Sequence, residues 1–195
     1  MLFSGKTLAV FPLPDLVLFP KVKVPLHIFE PRYHQMVSEL IDSHGHFSIA
    51  TYCDPKTPRD FYSTGCLAKI IDYTPLDGQR YNIVIEGVER IRLWEKDSEK
   101  LYRQAQVEVQ ETDIDLLTDN GIIALKEQLI IFLKHLDENI NLDPQFRDRI
   151  IAMPADELVY YMSFIAPVPV SNKQELLEYD CLRETIPMLL RLFQQ

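Results

Sequence analysis

Five prolines lie among long apolar side chains in one stretch near the start of the chain, from Phe11 to Tyr33, which reads FPLPDLVLFPKVKVPLHIFEPRY. Proline fixes φ and has no backbone N–H, so it is rare inside central strands. The stretch therefore predicts short extended pieces that are separated by fixed turns and laid against a core. Its few ionisable groups favour a role in shaping a surface over a role in catalysis.

The charge of the chain argues against two classes of partner. The 195 residues include 20 Lys and Arg against 29 Asp and Glu, which gives a net charge of −9 at neutral pH. That balance repels phosphate backbones and anionic lipid, so neither nucleic acid nor a membrane surface is expected as a partner. The length suffices for one sizeable core or for two small subdomains that share an interface.

The cysteines and the hydropathy pattern predict a cytoplasmic protein. The chain has an odd number of cysteines, the three residues Cys53, Cys66 and Cys181. They are widely spaced and include no CxxC pair. This pattern argues against a disulfide framework and fits a reducing compartment. The first residues do not form a signal peptide, and the apolar runs fall far short of the roughly 20 residues that cross a bilayer.

The chain changes character near residues 112–119. Before this point the segments are short, β-branched and separated by Pro, Gly and Asp, whereas after it apolar residues recur at helical spacing. We therefore predict a β-rich domain over residues 1–115 and a helical domain over residues 116–195.

Several segments of the first part have the composition of short strands. Asp77-Gly78 between two β-branched runs is a strong hairpin signal, and Gly87 is expected to end the second run. The predicted strands are Leu8–Phe11, Leu16–Phe19, Phe47–Cys53, Gly65–Tyr73, Arg80–Glu86, Val88–Trp94 and Tyr102–Glu111. This many short strands suggests a small curled sheet or barrel.

One helix interrupts these strands, and others follow them. Pro31 suits a first helical position, Gly45 suits a position after the C-terminus, and the residues between carry an apolar stripe that includes Tyr33. In the second part the predicted helices are Ile122–Leu136, one that begins at Asp143-Pro144, Ala155–Ile165, one capped by Ser171 and one capped by Asp180, which Pro187 should kink or restart.

Several blocks together resemble the Lon-type substrate-binding domain, the N-terminal region of ATP-dependent Lon proteases, which also occurs as a free-standing protein. The blocks are the opening stretch to Tyr33, Gly65–Ile70, Asp77-Gly78 with Ile83–Arg92, and the helical segment Lys173–Glu178. The resemblance covers nearly the whole chain. It implies an α+β fold, with an N-terminal PUA-like β pseudo-barrel that contains one helix, followed by a C-terminal helical bundle.

Two departures from the family pattern stand out. Lys21 occupies a position where the family usually has glycine, the residue that most readily takes a positive φ. A full Lon protease also contains an ATPase module and a Ser-Lys protease module, for which 195 residues leave no room. The resemblance thus implies a stand-alone protein of this type.

No motif in the sequence indicates catalysis or a cofactor. Ser4–Thr7 imitates the end of a phosphate-binding loop, but the first glycine of that motif would fall before Met1 and no strand precedes it. His44 and His46 offer two imidazoles, whereas zinc needs three or four ligands, so a turn explains them better than a metal. His27, in an apolar run, is expected to be a hydrogen-bonded structural histidine.

The segment Phe29, Glu30, Arg32 and Tyr33 is the candidate binding site. The resemblance implies contact with polypeptide, and these residues would line a groove for it. The alternative is that they hold the proline-rich loop against the sheet, with Glu30 favoured at the helix start by the helix dipole.

The expected function is non-enzymatic. The resemblance implies binding of polypeptide or unfolded segments, through an apolar groove or an exposed sheet edge, with a possible protease or chaperone partner and a role as adaptor or regulator. Two alternatives stay open: an RNA-binding PUA-like module, against which the charge of −9 argues, and an enzyme with a small-molecule substrate, which would need a deep pocket with convergent polar groups.

Overall fold

A computed structural model describes residues 3–54, 56, 59–113, 119–136 and 144–193. The chain divides into two compact units, Met1–Glu111 and Thr112–Gln195. The first contains a mixed sheet and one helix, and the second contains helices. The architecture is thus α+β.

The sheet of the first unit has six strands: β1 Thr7–Leu13, β2 Lys23–Ile28, β3 His46–Thr51, β4 Thr64–Leu76, β5 Arg80–Lys96 and β6 Arg103–Val109. Their order is β2-β5-β4-β3-β1-β6, with an additional pairing of β5 with β6. The β1–β3 pair is parallel and the other pairs are antiparallel. Because β5 pairs with both β4 and β6, the ladder through β5, β4, β3, β1 and β6 returns to its first strand. Of the six strands formed by the described residues, β2 alone lies outside this closed ladder.

The predicted hairpin is confirmed. Leu76 of β4 pairs with Arg80 of β5, and Asp77, Gly78 and Gln79 form the turn between them. Gly78 and Gln79 have φ of +75° and +57°, the left-handed values that such turns require.

The prediction that Gly87 ends a strand is wrong, because β5 runs through it without a break for 17 residues. The pairing register with β4 shifts between Leu67 and Ala68 at this point, which leaves Val88 as the extra residue of a bulge. A Cβ on Gly87 would lie 2.1 Å from the carbonyl oxygen of Phe19. Gly87 is therefore needed for the close approach of another segment.

That segment is Leu16–Phe19, for which the predicted strand is also wrong. Val17, Leu18 and Phe19 are buried, but their main chain joins no ladder among the described residues. The carbonyl oxygen of Leu16 instead accepts a hydrogen bond of 2.8 Å from the Thr51 hydroxyl. Prolines 14 and 20 bound the segment, and its apolar composition reflects burial alone.

β2 is a strand that the sequence did not predict, because Pro25 lies in its middle. β2 pairs with β5 on one side and with no other strand among the described residues. Proline is tolerated on such an edge strand because its missing N–H can face away from the ladder.

Helix α1, Pro31–Ile41, begins at Pro31 as predicted. It joins β2 to β3. Its buried face consists of Tyr33, Met36, Val37 and Leu40. Gly45, with φ of +69°, follows the helix and donates a hydrogen bond of 3.0 Å from its N–H to the carbonyl oxygen of Leu40.

The outer face of α1 is fastened to the connection between β5 and β6. The Tyr102 hydroxyl donates a hydrogen bond of 2.6 Å to Glu39, and the Lys100 ammonium lies 3.1 Å from the same carboxylate. These donors lower the pKa of Glu39. α1 is thus held from both faces, which fixes the segment that leads into it.

The second unit contains α2 Asp119–Leu136, α3 Pro144–Ala152, α4 Ala155–Ile165, α5 Val170–Glu178 and α6 Leu182–Leu192. α2 contacts α3, α4 and α6, while α4 contacts α5 and α6. The predicted bounds of α4 are confirmed. Among the helices of the described residues, none is long and apolar enough to span a membrane.

Two predicted caps in this unit are wrong. The N-cap residues of α5 and α6 are Pro169 and Cys181, and neither makes a side-chain capping bond, so Ser171 and Asp180 do not cap them. At α6 the main chain supplies the acceptor instead, because the Leu182 N–H donates to the carbonyl oxygen of Asp113 at 3.2 Å.

The two prolines predicted to mark helix boundaries have different outcomes. Pro187 lies inside α6, which runs from Leu182 to Leu192 without the restart that was one of two expected results. α3 begins at Pro144 as predicted, whereas its expected cap, Asp143, lies outside the described residues.

Candidate functional site

Three strand segments extend beyond the closed ladder and form what we call the flap: β2, residues 70–76 of β4 and residues 80–86 of β5. β3 pairs with β4 only as far as Lys69. Beyond that point β5 alone joins β4 to β2, with Val84 between Pro25 and Asp72 and with Asn82 between His27 and Thr74. The flap therefore has two outer edges, along β2 and along the end of β4.

One face of the flap carries a shallow groove of about 380 Å³. Its walls are Pro25–His27, Asp72–Thr74 and Asn82–Val84. Pro25 and Val84 face each other in the strand register and give the groove an apolar part. His27, Asp72, Thr74 and Asn82 add polar groups to it. A concave apolar surface with a few polar groups is the usual form of a binding site.

A polar pair fixes one end of this groove. The Nδ1 atom of His27 lies 2.7 Å from Oδ1 of Asn82. Because an amide oxygen only accepts hydrogen bonds, His27 is the donor. His27 is thus hydrogen-bonded as predicted, although it is exposed rather than part of the core.

Phe29 extends the groove at the His27 end. Its side chain is 64% exposed. Its aromatic ring is stacked beside the His27 imidazole, with ring centroids 6.0 Å apart and an interplanar angle of 22°. An exposed aromatic ring that is held in place by a neighbour is well suited to anchor a partner.

Glu30 and Arg32 form an ion pair at the start of α1. The Arg32 Nε and Nη2 atoms lie 2.9 Å and 2.7 Å from Oε2 of Glu30. The Arg32 guanidinium also lies 4.6 Å from the centre of the Tyr33 ring. Both charged side chains are well exposed, so the pair adds only about 0–1 kcal/mol to stability and remains accessible to a partner.

Tyr33 lies beneath this pair in the core, with 4% of its surface exposed. Its ring centroid is 4.1 Å from that of Phe11 in β1. Burial is the main cause of the raised pKa of its hydroxyl, which Arg32 partly opposes. Of the four candidate residues, the structure brings Glu30, Arg32 and Tyr33 together, while Phe29 contacts His27 on the flap.

Sequence reasoning did not select the groove residues. His27 was assigned a purely structural role, and Asp72, Thr74, Asn82 and Val84 were not singled out. The one available signal is the alternation in β2, where Val24 and Ile28 are buried while Lys23, Pro25 and His27 are exposed. An alternation with a period of two indicates a strand with one buried face and one exposed face. The proline in the middle of the segment argued against a strand, so the alternation was not recognised.

The described residues contain no group of three or more His, Cys, Asp and Glu side chains that is placed to hold a metal ion. His44 and His46 bond each other across one turn. The His46 N–H donates to Nδ1 of His44 at 3.0 Å, and Nδ1 of His46 lies 2.7 Å from the His44 carbonyl oxygen.

The chain is thus an α+β protein with an open groove on one face of the flap. Over residues 7–195 the sequence matches the family described as the ATP-dependent protease La (LON) substrate-binding domain, and the chain belongs to that family.

Curated relatives and solved structures agree with this assignment. The chain is 26% identical to Lon protease 1 of Bdellovibrio bacteriovorus over 197 residues, and 28% identical to the Lon protease of Syntrophus aciditrophicus over 192 residues. These alignments cover 95% and 92% of the chain but 24% of each relative. The chain thus spans about a quarter of the length of these proteins.

Two solved structures share the fold. The N-terminal domain of the Mycobacterium avium complex Lon protease superimposes with a TM-score of 0.74 at 18% identity, covering 97% of this chain and 99% of that one. A Lon N-terminal domain protein from Xanthomonas campestris gives a TM-score of 0.71 at 18% identity, covering 95% of this chain and 98% of that one.

Proposed function

We propose that this protein is a non-catalytic polypeptide-binding protein, and that its contact surface is the flap groove together with Phe29, Glu30 and Arg32. Tyr33 supports that surface from below. The observation that carries the proposal is the exposed Phe29 ring beside an apolar groove, in a chain whose family is described by substrate binding.

The groove is a better binding surface than the flap edges. An added strand needs a run of free N–H and C=O groups. Pro25 removes one donor from the β2 edge, and the edge of β4 is interrupted by a register shift between Ile70 and Asp72 and by Pro75. Prolines and bulges are the usual means of blocking strand addition. Side-chain contacts in the groove therefore carry the binding.

The charges around the groove favour neither a positively charged partner nor a negatively charged one. Asp72 and Glu86 are balanced by Lys23 and Arg80, and Lys23 lies 3.8 Å from Glu86. With the apolar pair Pro25 and Val84 in the groove and Phe29 at one end, the groove suits extended segments that contain aromatic or aliphatic side chains. Unfolded chains expose such segments, whereas native surfaces rarely expose them in large patches.

Two finer features of the fold belong to the same proposal. The closed ladder of five strands is consistent with a PUA-like pseudo-barrel. The contacts of α2 and α4 with their neighbours are consistent with a helical bundle. The proposed domains remain residues 1–115 and 116–195.

In the cell we propose a cytoplasmic adaptor or regulator that presents polypeptides to a protease or chaperone. Cys53, Cys66 and Cys181 are free thiols, which fits a reducing compartment. The net charge of −9 favours protein partners over nucleic acid and membrane surfaces.

The test is binding of the chain to a reduced and alkylated protein that stays unfolded. Fluorescence anisotropy measures the affinity. Phe29→Ser removes the exposed ring and should weaken binding about 5- to 30-fold, as expected for an aromatic anchor worth about 1–2 kcal/mol. Leu101→Ser is the matched control, because Leu101 is 68% exposed and lies in the connection between β5 and β6, away from the groove residues.

Equal affinities of wild type and Phe29→Ser for the unfolded protein would show that the flap groove is not the binding surface. Absence of binding to any unfolded chain would remove the polypeptide-binding function. An affinity for structured RNA that falls steeply as the salt concentration is raised would instead favour the RNA-binding alternative.

A further inference from the structure

The side chains on the groove face of the flap lie in rows that cross its three strands. Successive side chains of a strand point to opposite faces, so every second residue belongs to the groove face. The strand register then defines the rows. They are Lys23–Glu86, Pro25–Val84–Asp72, His27–Asn82–Thr74 and, where the register is continued by one residue beyond Ile28–Tyr81, Phe29–Arg80–Leu76.

Two of these rows carry apolar side chains. One contains Pro25 and Val84. The other contains Phe29 and Leu76, which are 64% and 36% exposed. Pro25 and Phe29 are four residues apart, which corresponds to about 13 Å at the rise of an extended strand. A partner that contacts both rows therefore needs two apolar side chains at this separation.

The row between them is polar, and one hydrogen bond fixes what it offers. Oδ1 of Asn82 accepts from Nδ1 of His27 at 2.7 Å, so the Asn82 side chain presents its NH₂ group to a partner. A neutral imidazole that donates from Nδ1 carries a lone pair on Nε2, which accepts. The row thus places a donor and an acceptor on neighbouring strands, about 4.8 Å apart.

The Thr74 hydroxyl lies on the other side of Asn82 in the register, and a hydroxyl can either donate or accept. A partner side chain on this row must therefore accept from Asn82 and donate to His27. A carboxylate only accepts and an ammonium only donates, whereas a side-chain amide does both. An apolar side chain would cover these groups without pairing them, which costs about 1–3 kcal/mol for each group that is left unsatisfied.

We propose that the flap groove selects extended segments in which an Asn or Gln lies between two apolar residues, each two positions away from it. This selection rests on the proposed polypeptide-binding function. An extended segment aligned with β2 turns every second side chain toward the flap. Its amide lies on the polar row when its apolar side chains lie on the two apolar rows. The main-chain groups of such a segment point to its sides, so a side chain supplies the amide.

The test compares the affinities of three labelled peptides by fluorescence anisotropy. The first contains Leu-Thr-Gln-Thr-Leu between polar flanks. The second has Met in place of Gln, which is similar in length but has no amide. The third contains Thr-Leu-Gln-Leu-Thr, which has the same composition with the apolar residues next to the amide. We expect the first peptide to bind about 10-fold more tightly than either of the others, a difference of about 1.4 kcal/mol.

Variants of the protein locate the selection. Asn82→Leu removes the NH₂ group and the acceptor for His27, so it should bind the Gln and Met peptides equally. Gln106→Leu is the matched control, because it removes an amide from β6, outside the flap, and should keep the 10-fold preference. Phe29→Ser removes an apolar contact that both peptides make and should weaken both by the same factor.

The outcomes separate this inference from the proposed function. If the wild-type protein bound the Gln and Met peptides equally while Phe29→Ser weakened both, the amide selection would be overturned and the polypeptide-binding function would stand. Equal affinities for the first and third peptides would overturn the spacing. Absence of binding to all three peptides and to the unfolded protein would overturn the proposed function as well.

Discussion

Single residues in this protein take conformations that the packing around them requires. Lys21 has φ of +64° at a position where the family pattern has glycine. Its N–H donates a hydrogen bond of 2.7 Å to the Gly87 carbonyl oxygen, which ties the turn to β5. The left-handed conformation costs a non-glycine residue about 1–2 kcal/mol, so the turn is kept at some expense in stability.

Lys21→Gly should therefore raise the free energy of unfolding by about 0.5–1 kcal/mol, since glycine takes a positive φ without steric cost but loses more entropy on folding. Urea denaturation measures the change. Lys23→Gly is the matched control, because it places glycine in the extended β2 and should lower stability. A Lys21→Gly protein less stable than wild type would contradict the strain argument.

The candidate binding residues show how far sequence reasoning reaches at this scale. Tyr33 was placed both in the apolar stripe of α1 and in the binding site, and its burial follows from the stripe. The exposure of Phe29 depends instead on how the chain leaves β2 and enters α1. That geometry is set by tertiary packing, which a local pattern does not contain.

The strands and helices that sequence patterns predicted best are those whose signals are local. β1, β3, the hairpin of β4 and β5, α1 and α4 were all anticipated from turn residues and periodicity. The errors share a different cause. β2 contains a proline that only an edge position permits, β5 continues through a glycine that another segment packs against, and the caps of α5 and α6 depend on neighbouring main chain. Each depends on which segments lie side by side.

At the scale of elements, Pro25 should keep the β2 edge from pairing with another chain. Pro25→Val restores an N–H and raises strand propensity, so we expect concentration-dependent self-association that exceeds that of wild type in sedimentation velocity. Pro25→Lys also restores the N–H but adds a charge that opposes edge pairing, and it should resemble wild type. Pro25→Val that sediments like wild type would show that the proline is not what protects this edge.

At the scale of the whole molecule, the hydrogen bonds of Asp113 bear on the position of the boundary between the two domains. Its N–H donates to the Asp180 carbonyl oxygen at 2.9 Å, and its own carbonyl oxygen accepts the Leu182 N–H at 3.2 Å. A helical fragment that begins at residue 116 lacks these bonds, whereas the compact unit from Thr112 to Gln195 retains them. The composition change near residues 112–119 located this region but not the bonded residue within it.

We therefore expect fragment 112–195 to be more stable than fragment 116–195 by about 1–3 kcal/mol, the usual net contribution of two backbone hydrogen bonds. Thermal unfolding followed by circular dichroism compares them. Equal stability of the two fragments would favour the boundary between residues 115 and 116.

The 17 residues of β5 also have a mechanical consequence. The same strand forms the centre of the flap and closes the ladder of the first unit. If the groove binds polypeptide as proposed, a pull on that polypeptide along β5 is resisted by the hydrogen bonds of β5 to β4 and β6 together, in shear. A pull across the strands would instead break the bonds between β2 and β5 one after another. The resistance of the flap to unfolding under force should therefore depend on the direction of the force as well as on its size.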